Sequence, residues 1–179
     1  MHTVELTLDG AAELAVRRVW KELADLGLPG QSPRPSAADR PHITLGTSHE
    51  LTDPVRELLA EALTALPLEV EFTRPVRFGG RSRTVAWEVA PSDALLALQL
   101  RVWRTIDAEN PYHHPAAWVP HVTLARTLRP GDGWQEHAWR LLRGRPALPA
   151  LLTGARSYDH ATDTAEDLLT PTGAVPASG

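Results

Sequence analysis

The strongest constraint on this chain is a tetrapeptide pattern that occurs twice. His42-Ile43-Thr44-Leu45 lies within "PHITLG", and His121-Val122-Thr123-Leu124 lies within "PHVTLA" 79 positions later. Each copy follows a proline-containing loop, and each reads as a short strand with an apolar residue at every second position. Strand side chains two residues apart share a face and lie about 6.5 Å apart along it. His42 and Thr44 therefore point one way while Ile43 and Leu45 point the other, toward a core. His121 and Thr123, against Val122 and Leu124, repeat the arrangement. One such polar pair is an ordinary structural feature, whereas two in matching surroundings need a common explanation.

The surroundings do match. Thr3–Leu8, "TVELTL", alternates as a strand, and Asp9 is placed to cap the helix that follows. That helix carries Ala12, Ala15, Val16, Val19, Leu23 and Leu26 on one side, and Gly27 can stop it. A Pro/Ser-rich loop, Gln31–Arg40, leads to the first motif. Asp53-Pro54 opens a helix with Val55, Leu58, Leu59, Ala62, Leu63 and Leu66 as its stripe, and Leu68–Phe72 alternates as a strand. After the turn signal "GGRS" the order restarts. Thr84–Val89 is a strand, and Ser92 caps a helix bearing Leu95, Leu96, Val102, Trp103 and Ile106. A loop with Pro111 and Pro115 precedes the second motif. A helix from about Asp132 to Leu142 and weaker strands near Leu148–Tyr158 and Glu166–Leu169 complete the pattern. Arg18-Val19-Trp20 corresponds to Arg101-Val102-Trp103, and Leu66-Pro67 to Leu148-Pro149. From each starting Thr-Val to its histidine is 39 positions in the first half and 37 in the second. The pattern predicts an internal duplication within one domain spanning 1–170, with repeats at about 3–78 and 84–170. The tail 171–179 is expected to be disordered.

Composition narrows the function. A hydrophobic share of 42% over 179 residues predicts a packed core of ordinary domain size. The net charge of −4 lacks the basic excess of proteins that grip long nucleic acid, so RNA or a nucleotide would be met at a small site. The absence of cysteine excludes disulfides, thiol chemistry and thiolate–metal sites. The N-terminus has no apolar signal-peptide core, and no apolar run is long enough to span a bilayer. A cytoplasmic protein with no membrane partner is expected.

Two halves packed about a pseudo-twofold axis would bring the polar faces together as a cleft lined by two imidazoles and two hydroxyls. Histidine works as base or acid near neutral pH, so one ring can activate a nucleophile while the other protonates a leaving group. Threonine hydroxyls can donate to phosphate oxygens. Neither metal nor cofactor is then needed. Arg126 follows the second motif and is placed to clamp a phosphate, whereas the first copy has Ser48 and no arginine near that offset. "TRPVRFGGRSR" (Thr73–Arg83) is either a basic hairpin guiding a phosphate or a solvated turn, with Arg81 and Arg83 the stronger candidates. In "NPYHHPAAW", Tyr112 and Trp118 either stack on a base or cover the core edge. His113, His114 and His121 fit no helical zinc spacing. Trp20 and Trp103, on amphipathic helices, are expected in the core.

With both His-X-Thr-Leu motifs in a duplicated chain, the sequence resembles the two-histidine phosphoesterase superfamily. Within it the likeness is to the bacterial 2′–5′ RNA ligase and 2′,3′-cyclic phosphodiesterase branch, from Thr3 to about Leu169. The resemblance implies an α+β fold of two pseudo-symmetric lobes. Each would be an antiparallel sheet with helices on the outside, and the two would face each other across a central cleft. It implies His42 and His121 as the acid/base pair and Thr44 and Thr123 as phosphate ligands, and Arg126 matches an arginine of the ligase branch. The implied activity is a metal-independent phosphoesterase, and a monomer is expected. It would open 2′,3′-cyclic phosphates, or act on 2′–5′ linkages including reverse ligation, at an RNA terminus or nucleotide. The alternative is a non-catalytic RNA-end or nucleotide-binding module using the same cleft. Which histidine is acid and which is base stays open.

Overall fold

The computed structural model describes residues 1–28, 39–79, 83–108, 110–127 and 133–169. The predicted local signals are where the elements begin and end. The first strand, β1 (His2–Leu8), runs into α1 (Gly10–Asp25), and Asp9 caps α1 by accepting from the backbone N–H groups of Ala11 and Ala12. Its second carboxylate oxygen accepts from Leu151 N at 2.6 Å, which ties the helix start to a distant strand. Gly27, at φ +67°, lets the chain leave the helix in the left-handed conformation. The motif strand β2 (His42–Ser48), α2 (Asp53–Leu63) and β3 (Leu68–Phe78) complete the first half. The second half runs β4 (Arg83–Val89), α3 (Asp93–Thr105), β5 (His121–Thr127), α4 (Trp134–Leu142) and β6 (Leu148–Asp159), followed by the short β7 (Thr164–Asp167). Ser92 caps α3 through a bond from Leu95 N, as predicted. The order β-α-β-α-β thus occurs twice.

All seven strands belong to one antiparallel sheet in the order β2-β1-β6-β3-β4-β5, with β7 on the far part of β6. The arrangement is α+β, and it has a feature the sequence did not reveal. Each half supplies only two strands to its own side of the sheet. The third strand beside β1 and β2 is β6, from the second half, while β3, from the first half, sits beside β4 and β5. The two three-stranded groups are joined where Leu68–Phe72 of β3 pairs with Leu148–Leu152 of β6. The predicted strand at Leu68–Phe72 runs on to Phe78 because Pro75 falls at a register irregularity, where a missing N–H breaks no ladder.

One face of the sheet carries the core. Val4, Leu6, Leu8, Ile43, Leu45, Val85, Trp87 and Val122 pack beneath the apolar stripes of the helices, with Leu23, Leu59, Leu95, Leu98 and Val102 fully enclosed. Gly46 belongs to this face, and a Cβ there would lie 2.7 Å from Ile106 Cδ1, so the end of α3 rests directly on backbone. No helix among the described residues is long and apolar enough to cross a membrane.

Candidate active site

The face of the sheet away from the helices carries the motif residues. β2 and β5 are the two edges of the sheet, yet they come back into contact with each other. His42 and His121 consequently sit close enough for the charge of one to act on the other. The rings are held alike: His42 Nδ1 lies 2.7 Å from Arg40 O, and His121 Nδ1 lies 2.7 Å from Val119 O. A carbonyl only accepts, so Nδ1 carries the hydrogen in both rings and Nε2 is left to take or give a proton. Thr44 and Thr123 share the face of the histidines, each half-buried.

Arg126 reaches that face only because the strand is irregular. Five positions separate it from His121, so in a regular strand the two would point to opposite faces. In both motifs, however, the ladder slips by one residue. Val4 pairs with Gly46 and Glu5 with Thr44, and Val85 pairs with Ala125 and Ala86 with Thr123. Leu45 and Leu124 are the extra residues of two matching β-bulges. A bulge re-aims everything after it, and it returns Arg126 to the side of His121. Each bulge is pinned by a tryptophan from the other half of the chain. Trp118 Nε1 donates to Thr44 O at 2.9 Å, and Trp20 Nε1 donates to Thr123 O at 3.0 Å. Gln99, buried in α3, adds a bond to Leu45 O.

The surroundings of the two histidines differ. Beside His42, Glu5 is 2% exposed, and its Oε1 lies 3.5 Å from His42 Nε2. Arg156 Nε donates to Glu5 Oε2 at 2.8 Å, and Thr3 Oγ1 donates to Oε1 at 2.7 Å. In the other half the register position of Glu5 is held by Ala86, and that of Arg156 by Val76. His121 instead has the ring of Phe78 at 4.7 Å. Sequence reasoning passed over Glu5, Arg156 and Phe78. A charged residue in an alternating strand reads as solvent-facing, and the burial of Glu5 is created by β6, far along the chain. The one available signal was the alignment of the two Thr-Val starts, which sets Glu5 against Ala86.

Burial, opposed by the bond to Val119 O and assisted by the nearby His42, holds His121 below the usual histidine pKa. His113, on the 3₁₀ turn Pro111–His113, is pushed down to about 4 by burial and by His121. His160, which senses Glu5 and Arg126, is also lowered, again chiefly by burial. Rings kept neutral in the folded state but free to protonate when unfolded make folding pH-dependent. Stability is full above the unfolded value of 6.5 and is lost as pH falls toward about 4. For His113 alone the loss reaches about 3 kcal/mol. Urea unfolding at pH 7.5 and pH 4.5 is expected to show it, and His113→Gln is expected to flatten the dependence. An unchanged slope in that variant would remove His113 from the account. Carboxylates held below their usual range, such as Glu13, add their own loss only toward the acid end of this window and beyond it.

The other candidates separate cleanly. Trp118 is 7% exposed with its N–H engaged, so it covers the core edge. Tyr112 is 78% exposed on its turn. Arg83 falls on the strand face opposite Thr84, with Val85 and Trp87, and so points away from the histidines. Arg81 and the tail 171–179 lie outside the described residues. His114 packs edge-on against Trp103. Trp20 and Trp103 are half-buried, with Trp20 against the core. Among the described residues no three His, Asp or Glu side chains converge to hold a metal ion.

A family of known proteins matches this chain over residues 11–164: the 2′-5′ RNA ligase superfamily. Solved structures share the fold across nearly the whole length. Escherichia coli LigT in its apo form aligns with a TM-score of 0.52 at 18% identity, covering 93% of this chain and 91% of that one. LigT complexed with 3′-AMP aligns at 0.50 and 15%, with the same coverage. Kluyveromyces marxianus Usb1 aligns at 0.51 and 10%, covering 93% and 96%. No curated protein matches the sequence significantly.

Proposed function

The chain belongs to the 2′-5′ RNA ligase superfamily, and from that membership we propose that it is a metal-independent phosphoesterase acting on RNA ends or nucleotides. Its reaction is the opening of a 2′,3′-cyclic phosphate by water, or the making and breaking of a 2′–5′ linkage by the same chemistry. The observation that carries this reading is the pairing of two half-buried imidazoles. Both present Nε2, both lie on one face, and each is flanked by a threonine hydroxyl. One ring takes the proton of water as it attacks phosphorus, and the other protonates the departing ribose oxygen. Thr44, Thr123 and Arg126 hold the non-bridging oxygens as charge builds on them. Tyr112, exposed on the turn that contacts β2, is free to meet a base. A nucleotide-sized ligand is supported by the LigT crystal structure with 3′-AMP.

The test is turnover of nucleoside 2′,3′-cyclic monophosphates and of 2′–5′-linked dinucleotides, with and without EDTA. Turnover unaffected by the chelator is expected. Tight binding of these compounds without any turnover would favour a binding module instead.

Arg126 gives a finer check. It is exposed and has no counterpart in the first motif, so removing it should cost phosphate affinity and transition-state charge stabilisation, and not folding. Arg126→Gln is expected to lower kcat/KM about 10- to 100-fold. Arg126→Lys, which keeps the charge and loses the planar fork, should fall between. A wild-type kcat/KM for Arg126→Gln would exclude the clamp.

A further inference from the structure

We propose that the helix side of the sheet carries a second binding site, a cleft between α1 and the connection from α4 to β6, and that its ligand is a small amphiphilic carboxylate. The cleft lies across the sheet from the histidines, so this ligand is distinct from the phosphodiester. Its volume is about 330 Å³, at the low end of the range for small-molecule pockets. Ala15, Arg18 and Glu22 of α1 line one side, Arg145 and Leu148 line the other, and Trp87 of β4 contributes from the sheet.

The internal repeat supplies a comparison within the same molecule. In the counterpart arrangement, α2 of the first half packs on α3 of the second. The equivalent pair is α4 and α1, and among the described residues no comparable packing joins them. α4 lies on β3 and β4 instead. Asp9 and Ser92 cap α1 and α3, and Arg18-Val19-Trp20 aligns with Arg101-Val102-Trp103, so Ala15 of α1 holds the place of Leu98 in α3. Leu98 is fully buried. Ala15 has the smaller side chain, and it borders open space where a close-packed interior leaves almost none.

The lining selects the chemistry of the ligand. Arg145 pairs with Glu22 from one side to the other through Nη2. Its Nε is buried, and among the described residues it has no acceptor. A buried donor stands at a cost until an acceptor reaches it, and a carboxylate is a strong acceptor for a guanidinium. Arg18 is exposed, and among the described residues no carboxylate pairs with it. Two guanidiniums against the one carboxylate of Glu22 leave a single positive charge, which matches a monoanion better than a phosphate dianion. Trp87, whose ring packs 5.4 Å from Phe72, and Leu148 offer apolar surface to the carbon body of the ligand.

The experiment is a titration of 2-naphthoate into the full chain, followed by calorimetry and by the tryptophan Nε1–H signals in ¹H–¹⁵N spectra. The Trp87 signal is expected to shift saturably, with a Kd on the order of 1 mM or tighter. Trp118, held to the first motif by Thr44 O, should not move. Naphthalene-2-methanol, which keeps the ring and loses the charge, should bind about tenfold more weakly or worse, and Arg145→Gln should weaken 2-naphthoate at least about tenfold. Ala15→Leu fills the cleft from α1 and should abolish the Trp87 shift. If that variant does not fold, Arg18→Gln/Arg145→Gln replaces it. An unmoved Trp87 in the wild type, or wild-type affinity in Arg145→Gln, overturns the site. Equal affinity for the uncharged analogue overturns the carboxylate. Turnover of cyclic nucleotides, or its absence, bears on the proposed function alone and leaves this binding result to be judged by itself.

Discussion

Alanine at His42 or at His121 is expected to lower kcat/KM on a 2′,3′-cyclic nucleotide by about 10²–10⁴-fold each, the range for a lost general acid or base. Neither ring belongs to the core. Both are half-buried on the face away from the helices, and each is anchored by one bond from Nδ1 to a carbonyl two residues earlier. Truncation therefore removes chemistry at a cost in stability of about 1 kcal/mol. The double variant should be little worse than the poorer single one, because groups that act in one step do not contribute additively. Steady-state kinetics with circular dichroism on the same samples decides the matter. If either single variant, folded, turns over substrate at the wild-type rate, the paired-histidine mechanism is wrong. The profile of the intact enzyme should be bell-shaped. One of its limbs should lie below the ordinary histidine range, because burial depresses the protonation of His121.

What could be read in advance follows from how local each signal is. Asp9, Ser92 and Gly27 declare helix ends through bonds made within three residues, and they were legible. The motif strands were legible because alternation is also local. The weak signal of β6 has a physical cause. Its first part pairs with β3, its next part with β1 and its end with β7, so no single polar/apolar rhythm serves its whole length. The exchange of β3 and β6 between the halves left no trace in periodicity, since a strand carries no local record of its neighbour. We propose duplication of a β-α-β-α-β unit as the origin of the two matching bulges. Those bulges supply what sequence parity could not, the reason Arg126 shares a face with His121. Tryptophan behaved likewise. Trp20 was expected in the core and Trp118 either on a base or over the core edge, but only the packing of each half on the other shows that they bond the bulge carbonyls of the opposite motif.

Because the motif strands stand at the two ends of the sheet order, their meeting depends on the joint between β3 and β6, and Phe72 sits at that joint. It is fully buried. It pairs with Leu148 of β6 on one side and Val89 of β4 on the other, and its ring packs 5.4 Å from Trp87. Phe72→Ala is expected to cost about 3–5 kcal/mol through lost burial and an unfilled cavity. That lowers Tm by roughly 10 °C for a chain of this size. The cavity opens where the two three-stranded groups meet, so the loss should reach the site. A slight change in the angle between the groups separates His42 from His121 by a distance that proton transfer does not tolerate. Leu63→Ala is the control. Leu63 is equally buried, on α2, which packs on α3, and its loss costs a comparable ~2–5 kcal/mol. With both variants folded at 25 °C, kcat of Phe72→Ala should fall at least about tenfold below that of Leu63→Ala. Equal rates in the two would mean that the helices crossing between the halves, with α1 on β5 and α3 on β2, hold the histidines in register without the sheet.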